Sequence, residues 1–172
     1  PDRPNLEQLK KQAKSLLRAK DATSPLSEFT KGEFKTVIGP AKDAVDADKI
    51  KRIIACSGKV AYDLLKKVDE KKGGDVAILR IEQLYPFPED ALRAVLGAYP
   101  SADTFIWAQE EPMNQGAWYQ TLHHLNHCAP AGQRFHYAGR LAAAAPASGY
   151  ASRHKAELDA LLTAALKTPY EA

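Results

Sequence analysis

The sequence is short of several things that would define its class. Cysteine occurs only twice in 172 residues, as Cys56 and Cys128, far apart and without a Cys-x-x-Cys neighbour. Two such residues make no disulfide scaffold, and this usage fits a reducing compartment. No apolar run approaches the ~20 residues needed to cross a bilayer. The blandest stretch, Leu141–Ala145, is short and mostly alanine. Pro1–Lys20 is charged and helical in pattern, so it does not read as a signal peptide. The chain also opens without an initiator methionine, which fits either processing or a piece of a longer polypeptide. A dense basic stripe with interleaved aromatics is missing as well. The net charge is only +3, and Lys10, Lys11, Lys14 and Arg18, like Lys66, Lys67, Lys71 and Lys72, read as solvated helix faces. Neither a nucleic-acid surface nor a membrane span is expected.

What is present is ordinary globular material. Hydrophobic residues make up 45% and charged residues 26%, enough to fold a domain of ~100–200 residues around a sizeable core. The pattern changes along the chain. In residues 1–49, Leu6, Leu9, Ala13, Leu16 and Leu17 are spaced for a helix over Asn5–Lys20, with Asn5 at its start. Ser24–Lys49 carries Pro25, Gly32, Gly39 and Pro40 and reads as an irregular connection. Residues 50–172 alternate regularly. Arg52–Cys56, Asp75–Ile81, Thr104–Ala108 and Arg134–Ala138 read as strands. Val60–Lys72, Pro88–Tyr99, Asn114–Cys128 and Ser152–Lys167 read as helices. Strands alternating with helices of this length imply βαβ units, hence a three-layer α/β/α sandwich around a mainly parallel sheet.

In such sheets ligands bind beyond the carboxyl ends of the strands, which singles out four loops. Ser57-Gly58-Lys59 opens a helix, where free N–H groups and the lysine attract an anion; the alternative is a routine cap and turn. Arg80-Ile-Glu-Gln83, before Pro86 and Pro88, offers a guanidinium fork to a phosphate or carboxylate; the alternative is an ion pair of Arg80 with Glu82 or Glu110. Gln109–Trp118 carries Glu110 and Glu111 side by side. Neighbours on an extended segment face opposite ways, so paired acid–base work is disfavoured. Glu110, Glu111, Asn114, Gln115 and Trp118 are instead candidates for a structural or subunit contact, with Asn114 as a helix N-cap and Trp118 as an anchor. Tyr137-Ala-Gly-Arg140 adds a third cation to the same edge. Lys59, Arg80 and Arg140 together are a candidate anion site, and a surface charge is the plain alternative for each.

The helix histidines His123, His124 and His127 lack the glutamate of an HExxH motif and an evident third ligand. They are expected to pack or hydrogen-bond rather than hold zinc. Cys128 has no evident histidine–carboxylate arrangement, so nucleophilic catalysis is not expected.

Four of these segments, Cys56–Leu65, Asp75–Pro88, Gln109–Trp118 and Tyr137–Arg140, resemble in order and spacing the C-terminal domain of the 2-oxoglutarate dehydrogenase E1 component. Lys14–Arg18 and Ser24–Phe29 look like the stretch just upstream in that family. The resemblance runs from about Lys14 to Leu166 and departs at Pro1–Ala13, where this chain is lysine-rich and helical in pattern.

The resemblance implies a transketolase-type C-terminal α/β/α unit. It also implies a bacterial, cytoplasmic parent enzyme of the TCA cycle that uses thiamine diphosphate and Mg2+. The parent decarboxylates 2-oxoglutarate and passes a succinyl group to the lipoyl arm of dihydrolipoyl succinyltransferase (E2), in a complex with dihydrolipoyl dehydrogenase (E3). The cofactor and catalytic residues belong to domains that precede this one. Their absence here implies that the chain carries no cofactor and no catalytic residue, and is inactive alone. The C-terminal domain packs the homodimer and shapes the active-site entrance. In some relatives it also holds a regulatory acetyl-CoA, through residues matching Ser57, Arg80, Gln83, Arg140 and Gln133. Relatives that use acetyl-CoA carry a second arginine where this chain has Leu141. A stand-alone regulatory module that binds acetyl-CoA or AMP through Ser57, Lys59, Arg80, Gln83 and Arg140 is the alternative reading.

Overall fold

The computed structural model describes residues 33–40, 45–71 and 74–167. The expected helix over Asn5–Lys20 therefore lies outside the described residues. The chain divides into two units between Phe34 and Lys35, and every element below belongs to the second.

That unit is a three-layer α/β/α sandwich. Its strands are β1 (Val37–Ile38), β2 (Arg52–Cys56), β3 (Val76–Ile81), β4 (Thr104–Pro112) and β5 (Phe135–Arg140), in the sheet order β1-β3-β2-β4-β5. The last four run parallel, and β1 pairs antiparallel with β3 at the edge. The helices are α1 (Val60–Lys71), α2 (Glu89–Leu96), α3 (Trp118–Cys128) and α4 (Ala151–Leu166), with a short 3-10 turn at Ala47–Lys49.

The central strand explains the layering. Every residue of β2 is buried, as expected of a parallel strand covered on both faces. Strand side chains alternate, so neighbours in sequence build two different cores. Ile53, Ala55, Leu79, Ile81, Phe105 and Trp107 pack with Leu92 and Leu96 of α2 and with Trp118 and Leu125 of α3. Ile54, Cys56, Ile78, Ile106, Ala108 and Ala138 pack with Val60, Ala61 and Leu64 of α1 and with Leu161, Leu162 and Ala165 of α4. Burial of this kind contributes roughly 25 cal/mol per Å2 of apolar surface removed from water.

Three features differ from the sequence reading. Within Ser24–Lys49, expected to be irregular, Val37–Ile38 adds an edge to the sheet by pairing with Ile81 and Arg80. A strand of two residues has no period to detect. Second, β4 does not stop at Ala108 but runs to Pro112, with a bulge between Ala108 and Pro112 against β5. Third, α3 begins at Trp118 rather than Asn114. The cause of the late start is a side chain from the strand, described next.

Candidate functional site

Because β2–β5 are parallel, their carboxyl ends share one edge, and the loops singled out above meet there. Gln109 organises this edge. It is buried to 3% exposure near the end of an apolar run. Its Oε1 accepts hydrogen bonds from Trp107 Nε1 at 2.9 Å and from the Trp118 backbone N–H at 3.0 Å. Its Nε2 donates to the carbonyls of Pro112 at 3.1 Å and Gln115 at 2.8 Å. One amide thus satisfies the start of α3 and folds residues 112–117 over the strand end, a task the sequence reading gave to Asn114. Gly116 takes φ +65°, and a Cβ there would come within 3.1 Å of Gln109 Nε2. Sequence reasoning passed over Gln109; the available signal was a single amide directly after the apolar run Phe-Ile-Trp-Ala.

Asn114 and Gln115 instead tie the loop after β5. Asn114 Nδ2 donates to the Ala143 carbonyl at 3.0 Å and Asn114 Oδ1 accepts from the Ala143 N–H at 2.9 Å, while Gln115 Nε2 donates to the same carbonyl at 2.9 Å. Trp118, expected to anchor a contact, is 7% exposed and packs against the partly buried Tyr137 ring, with centroids 5.3 Å apart and planes tilted by 47°. Its ring is used within the domain. Glu111 is exposed, and its carbonyl accepts from Tyr137 Oη at 3.2 Å. Tyr137 Oη also donates to the Arg140 carbonyl at 2.9 Å. The Tyr137 ring folds over Gly139, where a Cβ would overlap it. That overlap is a physical reason for glycine in Tyr137-Ala-Gly-Arg140.

The three cations lie at this edge, and each already faces carboxylates. Lys59 Nζ is 2.6 Å from Asp63 Oδ2 and 3.3 Å from Glu110 Oε1. Arg80 lies over the Tyr62 ring at 5.2 Å, donates to Tyr62 Oη at 2.8 Å and has its Nε 2.9 Å from Glu82 Oε1. The ion-pair alternative for Arg80 is thus the arrangement present, through Glu82. Arg140 has its Nε 3.3 Å from Glu157 Oε2 and its Nη2 2.9 Å from His154 Nδ1. Arg80 and Arg140 both face the α1/α4 side of the sheet, but β2 and β4 separate them, a span of roughly 14 Å at the usual strand spacing.

Ser57 does not join the arginines on that side. With Gly58, Leu84, Gln109, Gly116 and Gln120 it lines a cleft of ≈ 230 Å3 in front of α3. Gln83 Nε2 donates to the Pro86 carbonyl at 2.6 Å, beside the cis Tyr85–Pro86 bond. Gln133 is the clear misfit. It precedes β5, so it sits at the amino edge, a full strand length from Arg140, and does not belong with the other candidates.

The histidines take the hydrogen-bonding role. His124 Nδ1 lies 2.6 Å from Glu89 Oε1 and His127 Nδ1 2.8 Å from Glu89 Oε2, linking α3 to α2. The His124 contact, followed by those of His127 and Arg93, holds the Glu89 carboxyl below the usual glutamate range. Among the described residues no group of three or more His, Cys, Asp or Glu side chains is arranged to hold a metal. Burial pushes the Cys56 thiol up to about 12 and raises that of Cys128, so neither is a ready thiolate nucleophile.

Fold and edge together define the class: a transketolase C-terminal-type α/β/α domain whose strand-end loops are fixed by internal hydrogen bonds and ion pairs. The family model for the 2-oxoglutarate dehydrogenase C-terminal region matches residues 23–166. The chain belongs to that family. It is 51% identical over 152 residues to the 2-oxoglutarate dehydrogenase E1 component of Cupriavidus necator, covering 88% of this chain and 16% of that protein. It is 49% identical to the protein of the same name from Azotobacter vinelandii over 152 residues, covering 87% and 16%. With that of Coxiella burnetii it shares 49% identity over 156 residues, covering 90% and 17%. The chain therefore spans about one sixth of the length of these relatives.

Proposed function

We propose that this chain is the C-terminal domain of a 2-oxoglutarate dehydrogenase E1. The observation that carries this is the 51% identity concentrated in one sixth of a longer relative. In the parent, the decarboxylation of 2-oxoglutarate and succinyl transfer to E2 belong to domains beyond this one, and E3 completes the complex. This domain contributes contacts within the E1 homodimer and walls of the active-site entrance, in the bacterial cytoplasm. Thiamine diphosphate and Mg2+ go with the reaction to those other domains. The exposed carboxyl-edge groups Tyr85 and Tyr119, with Glu111, are the contact candidates, whereas Trp118 is withdrawn from that role by its burial. The domain boundary is proposed near residue 35 rather than 50, because Val37–Ile38 pairs with Ile81 and Arg80 of the sheet.

The test is deletion. A parent E1 truncated before this region should lose dimer formation and succinyl transfer to E2. Full activity in the truncated dimer would refute the contribution assigned here. The reading frame upstream of Pro1 tests identity separately, since it should encode the thiamine-diphosphate domains.

A second reading, an acetyl-CoA or AMP regulatory module, draws on Arg80 and Arg140 facing the same side of the sheet. Ser57, Lys59 and Gln83 are the accompanying candidates. Calorimetric titration decides it: binding of either ligand that weakens on Arg80→Ala supports the module, and no heat with either ligand removes it.

A further inference from the structure

Arg140 sits at the carboxyl edge of the sheet beside the first turns of α4, and its side chain is only 8% exposed. A helix N-terminus carries the positive end of the backbone dipole. The α4 start has no side-chain cap, since Tyr150 at the N-cap position makes no such bond. Arg153 adds a second guanidinium one residue before His154. A buried cation beside an uncapped helix start, with the exposed Arg153 close by, favours a negative charge among them. Glu157 supplies it: Oε2 is 3.3 Å from Arg140 Nε, and Oε1 is 2.8 Å from Arg153 Nε.

The fit is incomplete. Arg140 Nε lies within ion-pair distance of Glu157 but is not aligned for a hydrogen bond, leaving a buried donor unsatisfied. Buried donors without an acceptor are costly, and a planar guanidinium is best satisfied by a two-oxygen ligand lying in its plane. A carboxylate tethered on the second turn of α4 and shared with Arg153 does not meet that requirement. The Glu157 carboxyl is nonetheless held below the usual glutamate range, first by its hydrogen bond from Arg153 and also by the nearby Arg140 charge. It is therefore ionised at neutral pH.

We propose that Glu157 is the resident anion of an oxyanion site formed by Arg140, Arg153 and the start of α4, and that it excludes external phosphoryl groups from Arg140. This makes Glu157 a specificity-determining residue. It rests on the second reading above only in treating Arg140 as an anion-site cation, and it predicts that the native chain is closed to such ligands at this position.

Inorganic pyrophosphate titrated calorimetrically at low ionic strength, near neutral pH, provides the test on the 172-residue chain. Glu157→Gln keeps the side chain's shape and removes its charge. It should bind pyrophosphate at least about tenfold more tightly than the native chain, the size expected when a like charge is lifted from an anion's position. The gain should vanish in the double variant Arg140→Gln/Glu157→Gln. A Glu157→Gln variant that folds, judged by circular dichroism, and binds no more tightly than the native chain overturns the proposal. So does a gain that persists without Arg140. Should Glu157→Gln not fold, the native chain decides alone: binding abolished by Arg140→Gln shows an open site, and binding too weak to saturate supports a closed one. Tight Arg140-dependent binding to the native chain would overturn this inference while supporting the anion-site reading. No binding by a folded Glu157→Gln variant would overturn both.

Discussion

Helix α4 meets an arginine at each end, and the two are held in opposite ways. At the amino edge of the sheet Arg52 is 3% exposed and donates through Nη1 to the Ala165 carbonyl at 2.8 Å, in the last turn of α4. A cation there complements the negative end of the helix dipole and satisfies a carbonyl with no partner inside the helix. Burial lowers its pKa, and the charges of Asp75 and Asp103 act in the opposite direction. At the carboxyl edge Arg140 stands beside the positive end of the same helix and depends on Glu157. The first arginine is part of the framework. The second is placed where an anion is needed, and the chain provides its own. The same residue type, on the same sheet face, meets opposite ends of one helix, where the backbone dipole has opposite sign.

Substitutions can sharpen that contrast. Arg52→Ala should have the largest effect, about 3 kcal/mol off the unfolding free energy in a denaturant titration, because it strands the buried Ala165 carbonyl and removes a buried, packed side chain. Loss below about 1 kcal/mol would place Arg52 among ordinary surface charges. Gln109→Ala comes next, at about 2 kcal/mol, since the Trp118 N–H and the Trp107 indole N–H lose their acceptor together. Its near-ultraviolet circular dichroism should change as the two indoles lose a shared anchor, whereas a neutral result would mean that the 112–117 loop holds itself.

Arg80→Gln should cost no more than about 1 kcal/mol, as expected for a partly exposed pair with Glu82. A larger loss would make Arg80 a framework residue like Arg52. The smallest effect is expected at Glu89. Its folded-state carboxyl is depressed, chiefly by His124. Its contribution is therefore fully present above the unfolded glutamate range near ~4.3 and lost as pH falls through the lower folded value. Glu89→Gln should flatten the acid limb of a stability–pH profile below that range. An unchanged acid limb would mean that the α2–α3 link contributes nothing measurable.

The parts of this fold visible in the sequence are those where burial imposes a pattern. Arg52–Cys56 reads as a strand because both its faces are covered, and α1 and α4 read as helices because one stripe of each is apolar. Helix boundaries were less legible. Asn114 has the chemistry of an N-cap, but the acceptor at the start of α3 is Gln109, nine residues upstream and positioned by the strand. Capping through space leaves no local signature. Likewise, Glu110-Glu111-Pro112 has the composition of a loop, and only its pairing beyond a bulge with β5 makes it strand.

The candidate site was legible as an edge, because the strand-end rule needs only the order of elements. It was not legible as a set of contacts. Lys59, Arg80 and Arg140 are there, but no spacing rule could say that Asp63, Glu82, Glu110 and Glu157 would already face them. Gln133 shows the converse error: it was placed by resemblance alone, and the direction of β5 puts it at the opposite edge.

Under the proposed assignment this chain is one domain of an E1 enzyme, with the decarboxylation chemistry on other domains. The most direct test incubates the purified 172-residue chain with 2-oxoglutarate, thiamine diphosphate and Mg2+ and measures carbon dioxide release. No release above the protein-free control is expected. Thiamine-dependent turnover by the chain alone would contradict the assignment.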